Sequence, residues 1–253
     1  LLVISFFHVL FNLLTALLIL PVIKFILPFL TKQFISNEDK FDDNTFLLQS
    51  NTNFLIVSAS LYQLEKKIED LRSTVCKMFD SIENYIESKD LSAKSLAKIK
   101  YLEQITDNLK EEIIGQITPI IEQELSKDQS CKAQMIVRIT EELESLADYL
   151  DKFIYLFTQL KHQREFNSIE YNEFYNYFNE VRDFYFKVNN YLDNSKADDL
   201  NWINKNAHIL RSKSDRIRGN NVGRHEQLRE AKFLIGYSDM IVTLRKIRSH
   251  AHN

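Results

Sequence analysis

Two pairs of carboxylates are the residues of this chain best spaced for inorganic chemistry. Asp107 and Glu111 stand four apart, as do Glu144 and Asp148, so each pair falls on one face of a helix, one turn apart. If the two helices pack antiparallel, the pairs converge and can supply oxygen ligands to a hard divalent or ferric ion. A solvated acidic face, with Lys110 close by, is the plain alternative that spacing leaves open. A metal-dependent enzyme built on the same four carboxylates is a third reading.

Other chemistries lack their parts. There is no serine-nucleophile elbow, phosphate-cradling glycine loop, HExxH pair or paired CxxC motif. His208, His225, His250 and His252 form no zinc-spaced set, and Cys76 and Cys131 add none. The expectation is a chain that is not an enzyme. A basic excess gathers late: Ile209 to Asn253 holds ten Lys/Arg against four Asp/Glu. Arg211, Lys213, Arg216, Arg218, Arg224, Arg229, Arg245, Lys246 and Arg248 suit an anionic lipid, a phosphate or an acidic protein surface, or form ordinary surface charge. With a net charge of −3 and no reader motif, the chain makes no case for a nucleic-acid partner.

The elements that would carry these residues are helices. Glycine (4) and proline (3) are scarce, which removes the turn formers that sheet folds need. Apolar steps of three and four run through Leu61, Leu64, Ile68, Leu71, Val75, Met78, Ile82 and Ile86. They recur in Leu96 to Ile117 and in Met135 to Leu150, and with larger side chains in Phe174 to Val188. Six helices are expected, near 52–88, 93–125, 128–163, 168–194, 198–219 and 223–250. Ser92 opens the second, Ser126 or Asp128 caps the third, and Gly219-Asn-Asn-Val-Gly223 marks a turn before the last. Short connections make neighbours antiparallel, and the natural parse is two groups of three.

The opening differs. Leu1 to Ile23 has no charged side chain, and about 34 Å of helix matches the roughly 30 Å of a bilayer core. Residues 1–32 are expected to form a transmembrane helix, with Lys24 snorkelling, and 33–50 an acidic linker. A buried helix is the alternative. His8, Asn12 and Thr15 share one face, suited to interhelical hydrogen bonds. The start at Leu1, without a basic region, suggests the cut edge of a longer chain. Lys24 and Lys32 favour a cytoplasmic side for the helical module.

His8-Val-Leu-Phe-Asn-Leu-Leu-Thr15, followed by leucines and Pro21, resembles the late membrane segment of bacterial sodium/phosphate cotransporters of the type II-related family. The long helix from Asn51, Tyr101 to Ile113 and Glu141 to Asp148 resemble the PhoU-like helical domain that comes after it, and Leu244 to His250 resembles the usual end of these cotransporters. The resemblance implies an all-α chain: one transmembrane helix, then a PhoU-like bundle of two three-helix repeats over 51–253 (51–163 and 168–253). It implies the regulatory carboxyl-terminal part of a sodium-dependent phosphate cotransporter whose transport core is missing, in the inner membrane. The implied partners are that missing transport domain, inorganic phosphate and the lipid bilayer. Sodium is the implied coupling ion, and a homo-oligomer is compatible. Glu144 and Asp148 match the family's ExxxD metal motif, with Asp107 and Glu111 as partners. The alternative is a membrane-tethered helical signalling or scaffold protein without transport activity.

Overall fold

The computed structural model describes Phe11, Thr15 and residues 44–88, 92–194, 197–224 and 231–253. The chain divides into two compact units, Leu1–Ser50 and Asn51–Asn253. In the first, Thr15 Oγ1 donates to Phe11 O at 2.8 Å, a bond to its own preceding turn. His8 and Asn12 lie outside the described residues.

Among the described residues the secondary structure is all helical: α1 (Asn44–Glu87), α2 (Ala93–Ile121), α3 (Lys127–Gln163), α4 (Ser168–Asn194), α5 (Ala197–Arg224) and α6 (Ala231–His252). None of these helices is long and apolar enough to cross a membrane. This overturns the expected fold class in its transmembrane part, and the remainder of 1–32 lies outside the described residues. The physical reason is plain in α1. Its 44 residues have length to spare, but polar residues such as Gln49, Asn51 and Asn53 interrupt its uncharged first half, and charged side chains such as Glu65, Lys66, Lys67, Glu69, Asp70 and Arg72 crowd the next turns. For 1–23, an apolar run of the right length is equally the composition of a helix packed against protein.

Local sequence explains several boundaries. Ser92 caps α2, its hydroxyl accepting from Ser95 N at 3.2 Å. Ser126, rather than Asp128, caps α3 in a full capping box. Gln129 N donates to Ser126 Oγ, and Ser126 N to Gln129 Oε1. The buried Gln129 amide also donates to Phe54 O and Ser58 Oγ of α1, each at 3.1 Å. α5 does not stop at Gly219 but continues to Arg224. Asn221 is buried there, and its amide reaches Leu234 O of α6.

The helices bury their apolar stripes against one another. α3 packs on α2 and α6, and α4, α5 and α6 pack mutually. α1 joins through aromatic layers: Phe79 stacks on Tyr185 at 5.2 Å, and Tyr85 meets Phe157 edge-on. Phe153 stacks on Phe178 at 5.4 Å, and Phe166 bridges Phe157, Phe174 and Phe233. Arg72 fastens α1 to the end of α4 through Asn189 and Asp193. Both cysteines are free, Cys76 half-buried and Cys131 exposed.

The turn between α3 and α4 is held by an ion pair whose acidic partner is buried. Glu170 is fully buried, and its carboxylate takes both terminal nitrogens of Arg164 at 2.8 and 2.7 Å. Its Oε2 also accepts from Asn167 N at 3.0 Å, while Asn167 Oδ1 accepts from Ile169 N and Glu170 N. The Arg164 guanidinium sits 3.6 Å from the centre of the Phe233 ring, and Tyr237 OH donates to Glu170 O at 3.0 Å.

Two glycines differ in purpose. A Cβ on Gly236 would meet Leu160 Cδ2 at 2.8 Å, so this glycine lets α6 approach α3. A Cβ on Gly115 would meet nothing within 4 Å. Gly115→Ala is therefore expected to stabilise the chain by about 0.5–1 kcal/mol, the helix cost of glycine. Urea titration of the two proteins reads that difference.

Candidate metal centre between α2 and α3

α2 and α3 run antiparallel, which fixes the register of their polar faces. Lys100 near the start of α2 faces Asp151 in the second half of α3, and Lys110 further along α2 pairs with the earlier Glu144. Between these two crossings lie Glu103, Asp107 and Asp148. One ligand oxygen from each stands within 4.8 Å of the others. Glu103 is largely shielded, with 12% of its side chain exposed, and its Oε2 lies 3.0 Å from Lys100 Nζ. Asp107 is half-buried and Asp148 exposed. A polar cleft of about 420 Å³, lined by Ser145, Asp148, Tyr149, Asp151, Lys152 and His250, opens beside Asp148.

The charges are crowded. The Asp148 carboxyl is pushed above its ordinary range, first by partial burial and then by Glu144, Asp107 and Glu103, against the opposing pull of Lys110. Lys110 is held above the usual lysine value, first by its hydrogen bond to Glu144 and then by the charges of Glu144, Asp148 and Asp107. Oxygens on one ion can be no further apart than twice the bond length, about 4.6–5.2 Å for a Ca²⁺-sized cation. A Glu/Asp cluster that can hold a divalent cation is therefore present.

Of the four carboxylates singled out by spacing, Asp107 and Asp148 come together. Glu144 stands at the edge of the cluster, engaged by Lys110, and Ser145 Oγ contacts its other oxygen at 3.4 Å. Glu111 is exposed and outside the group. Glu103 takes its place. Its signal is in the sequence: Glu103 precedes Asp107 by four, the same spacing as Glu144 and Asp148. What spacing leaves open is which neighbouring turn of α2 faces α3, and that is a matter of interhelical register.

The histidines near the end of α6 are engaged by other side chains. His250 Nδ1 lies 2.8 Å from Glu142 Oε2 and its ring stacks on Tyr149, while His252 Nε2 lies 3.0 Å from Asn204 Oδ1. A second cavity, about 340 Å³, lies among α3, α4, α5 and α6. It is walled mainly by apolar side chains such as Ile139, Leu143, Val188 and Ile203, and no serine, threonine, cysteine or lysine lines it.

Comparison with protein-family models, curated proteins and solved structures finds no match to this chain. The resemblance to sodium/phosphate cotransporters with a PhoU-like domain is thus overturned, along with what it alone supplied. The transport core, inorganic phosphate and the bilayer as partners, sodium coupling and the inner-membrane location have neither a matching relative nor, among the described residues, a membrane-length helix behind them. The reason lies in the strings that carried the likeness. His8 to Thr15 is a short apolar run with the composition that any tightly packed helix favours. Apolar stripes of period 3.6 are what every helical bundle requires.

Proposed function

We propose that this chain is a non-enzymatic helical scaffold whose α2–α3 pair takes up a hard divalent cation, of Ca²⁺ or Mn²⁺ type, as a structural staple. The observation that carries this reading is the Glu103–Asp107–Asp148 group, three carboxylates contributed by two antiparallel helices. The cation would offset the mutual repulsion of the acids, which adds to partial burial in raising the Asp148 pKa, and would tie the two helices together. It would complete its shell with water from the adjoining cleft. The non-enzymatic reading is supported by the carboxylate cleft, where the acids are matched with lysine and histidine at a solvent-exposed face, and by the cavity at the end of α6, whose wall is mainly apolar.

The test is calorimetric titration of the chelator-treated chain with Ca²⁺, Mn²⁺ and Mg²⁺, followed by thermal unfolding. One saturable site is expected, and a hundredfold excess over Kd should add about 2.7 kcal/mol of stability. Asp148→Asn should abolish the binding. Absence of saturable binding of any of the three ions overturns the reading.

The pH dependence has a defined sign. The folded chain binds the Asp148 proton more tightly than the unfolded chain. The stability this contributes is complete below the unfolded carboxyl pKa and is lost as pH rises through the raised folded value. Metal-free Asp148→Asn should therefore be more stable than the parent at neutral pH. That advantage should vanish on acidification below the carboxylate range, as measured by melting curves at both pH values.

A further inference from the structure

Among the described residues the shielded arginines of this bundle are paired with carboxylates, with one exception. Arg164 is paired with Glu170, Arg182 with Glu83 and Asp80, and Arg72 with Asp193. Arg248 of α6 is more deeply buried than any of these, with 8% exposure. Among the described residues it makes no ion pair or hydrogen bond, and its Nε is shielded without an acceptor. A guanidinium does not shed its proton in a protein, and an unpaired charge in such a place is costly.

The surroundings deepen the imbalance. Asn204 with His252 and Asp215 with Arg245 fix α5 and α6 as antiparallel neighbours, placing Arg211 of α5 in the interval opposite Arg248. The charged groups that act on Arg248 are Arg211 and Arg245, both of its own sign, and beside them stands the neutral phenol of Tyr177 from α4. Asp215 is the carboxylate at this seam, and it is already shared by Arg245 at 2.9 Å and Arg218 at 3.8 Å. Arg211 is exposed and has no acidic partner among the described residues, so the group opens to solvent on its side. Tyr177, buried next to Ser214, is held protonated by that burial, its pKa pushed up to about 12, and so remains a donor.

We propose that the seam between α5 and α6 is a binding site for a small multivalent oxyanion, held between the guanidinium groups of Arg248 and Arg211. Planar guanidinium forks match paired oxygens, and two uncompensated positive charges call for a ligand with at least two negative ones. A chloride ion offers neither property. The site lies on helices other than those of the carboxylate group, so it is independent of the cation reading.

Sodium sulfate and sodium pyrophosphate are the probes, titrated into the full chain with chelator present. Sodium chloride at matched ionic strength is the control. A saturable rise in melting temperature, with a single calorimetric site, is expected for at least one probe. Arg248→Met should weaken that binding at least tenfold while leaving the anion-free melting temperature equal to or above the parent value, since an apolar stem replaces an unpaired charge. Arg211→Gln, a change at an exposed position, should weaken it as well and serves if Arg248→Met does not fold. Binding of pyrophosphate alone upholds the site and assigns it to phosphoryl ligands. Binding of sulfate alone upholds it for compact oxyanions. A response to neither probe beyond that to chloride overturns the proposal, and so does undiminished binding in both variants.

Discussion

Glu170→Ala is expected to destabilise the chain by about 3 kcal/mol, the lower end of the range for breaking a buried ion pair, because the Arg164 side chain keeps partial access to water. The substitution strips the α3–α4 turn of two charge-assisted bonds to Arg164 and of the acceptor for Asn167 N. It takes the Glu170 carboxylate away from the Arg164 guanidinium, which lies against the Phe233 face. Urea denaturation followed by circular dichroism measures the loss. The double variant Arg164→Met with Glu170→Leu should recover much of it, because an apolar pair removes both charges from the turn. If Glu170→Ala unfolds at the parent midpoint, the ion pair does not hold the turn.

Phe157→Ala should cost a similar amount, about 3–5 kcal/mol. Phe157 is fully buried and touches rings from three directions: Phe166 at 5.6 Å, Phe174 at 5.5 Å and Tyr85 at 6.3 Å. These rings come from α1, α4 and the α3–α4 connection, so a cavity here loosens several interfaces at once. Phe157→Leu, which retains much of the volume, should lose distinctly less. A denaturant slope unchanged from the parent, with a shifted midpoint, would confirm that the loss is one of native packing. Equal midpoints for Phe157→Ala and the parent would contradict the central place of this ring in the core.

The helices and many of their limits are legible in the sequence because their causes are local. Stripes such as Leu61 to Ile86 need only count threes and fours, and Ser92 and Ser126 act on backbone groups within one turn. Where a distant partner intervenes, local signals fail. Gly219-Asn-Asn-Val-Gly223 reads as a turn, yet α5 continues through it, with buried Asn221 bonded to Leu234 of α6. The acidic group shows the same division. That Asp107 and Asp148 belong to one-turn pairs is visible in the spacing. That Glu103 rather than Glu111 joins them depends on how α2 is set against α3, which no local pattern records. Arg248 is the extreme case: in the sequence it is one basic residue among many, and only burial separates it from the rest. The membrane expectation failed differently, since apolar composition reports a preference for leaving water and does not say whether lipid or protein receives the segment.

Gln129 spends its whole side chain at one junction, closing the first turn of α3 with its oxygen and binding Phe54 and Ser58 of α1 with its nitrogen. The start of α3 therefore cannot fray without releasing acceptors on α1, and that part of α1 cannot loosen without exposing the cap. Two stretches about seventy positions apart in the chain become a single cooperative unit for local opening. Amide protons at the two places should thus share one protection level, set by the junction rather than by either helix alone.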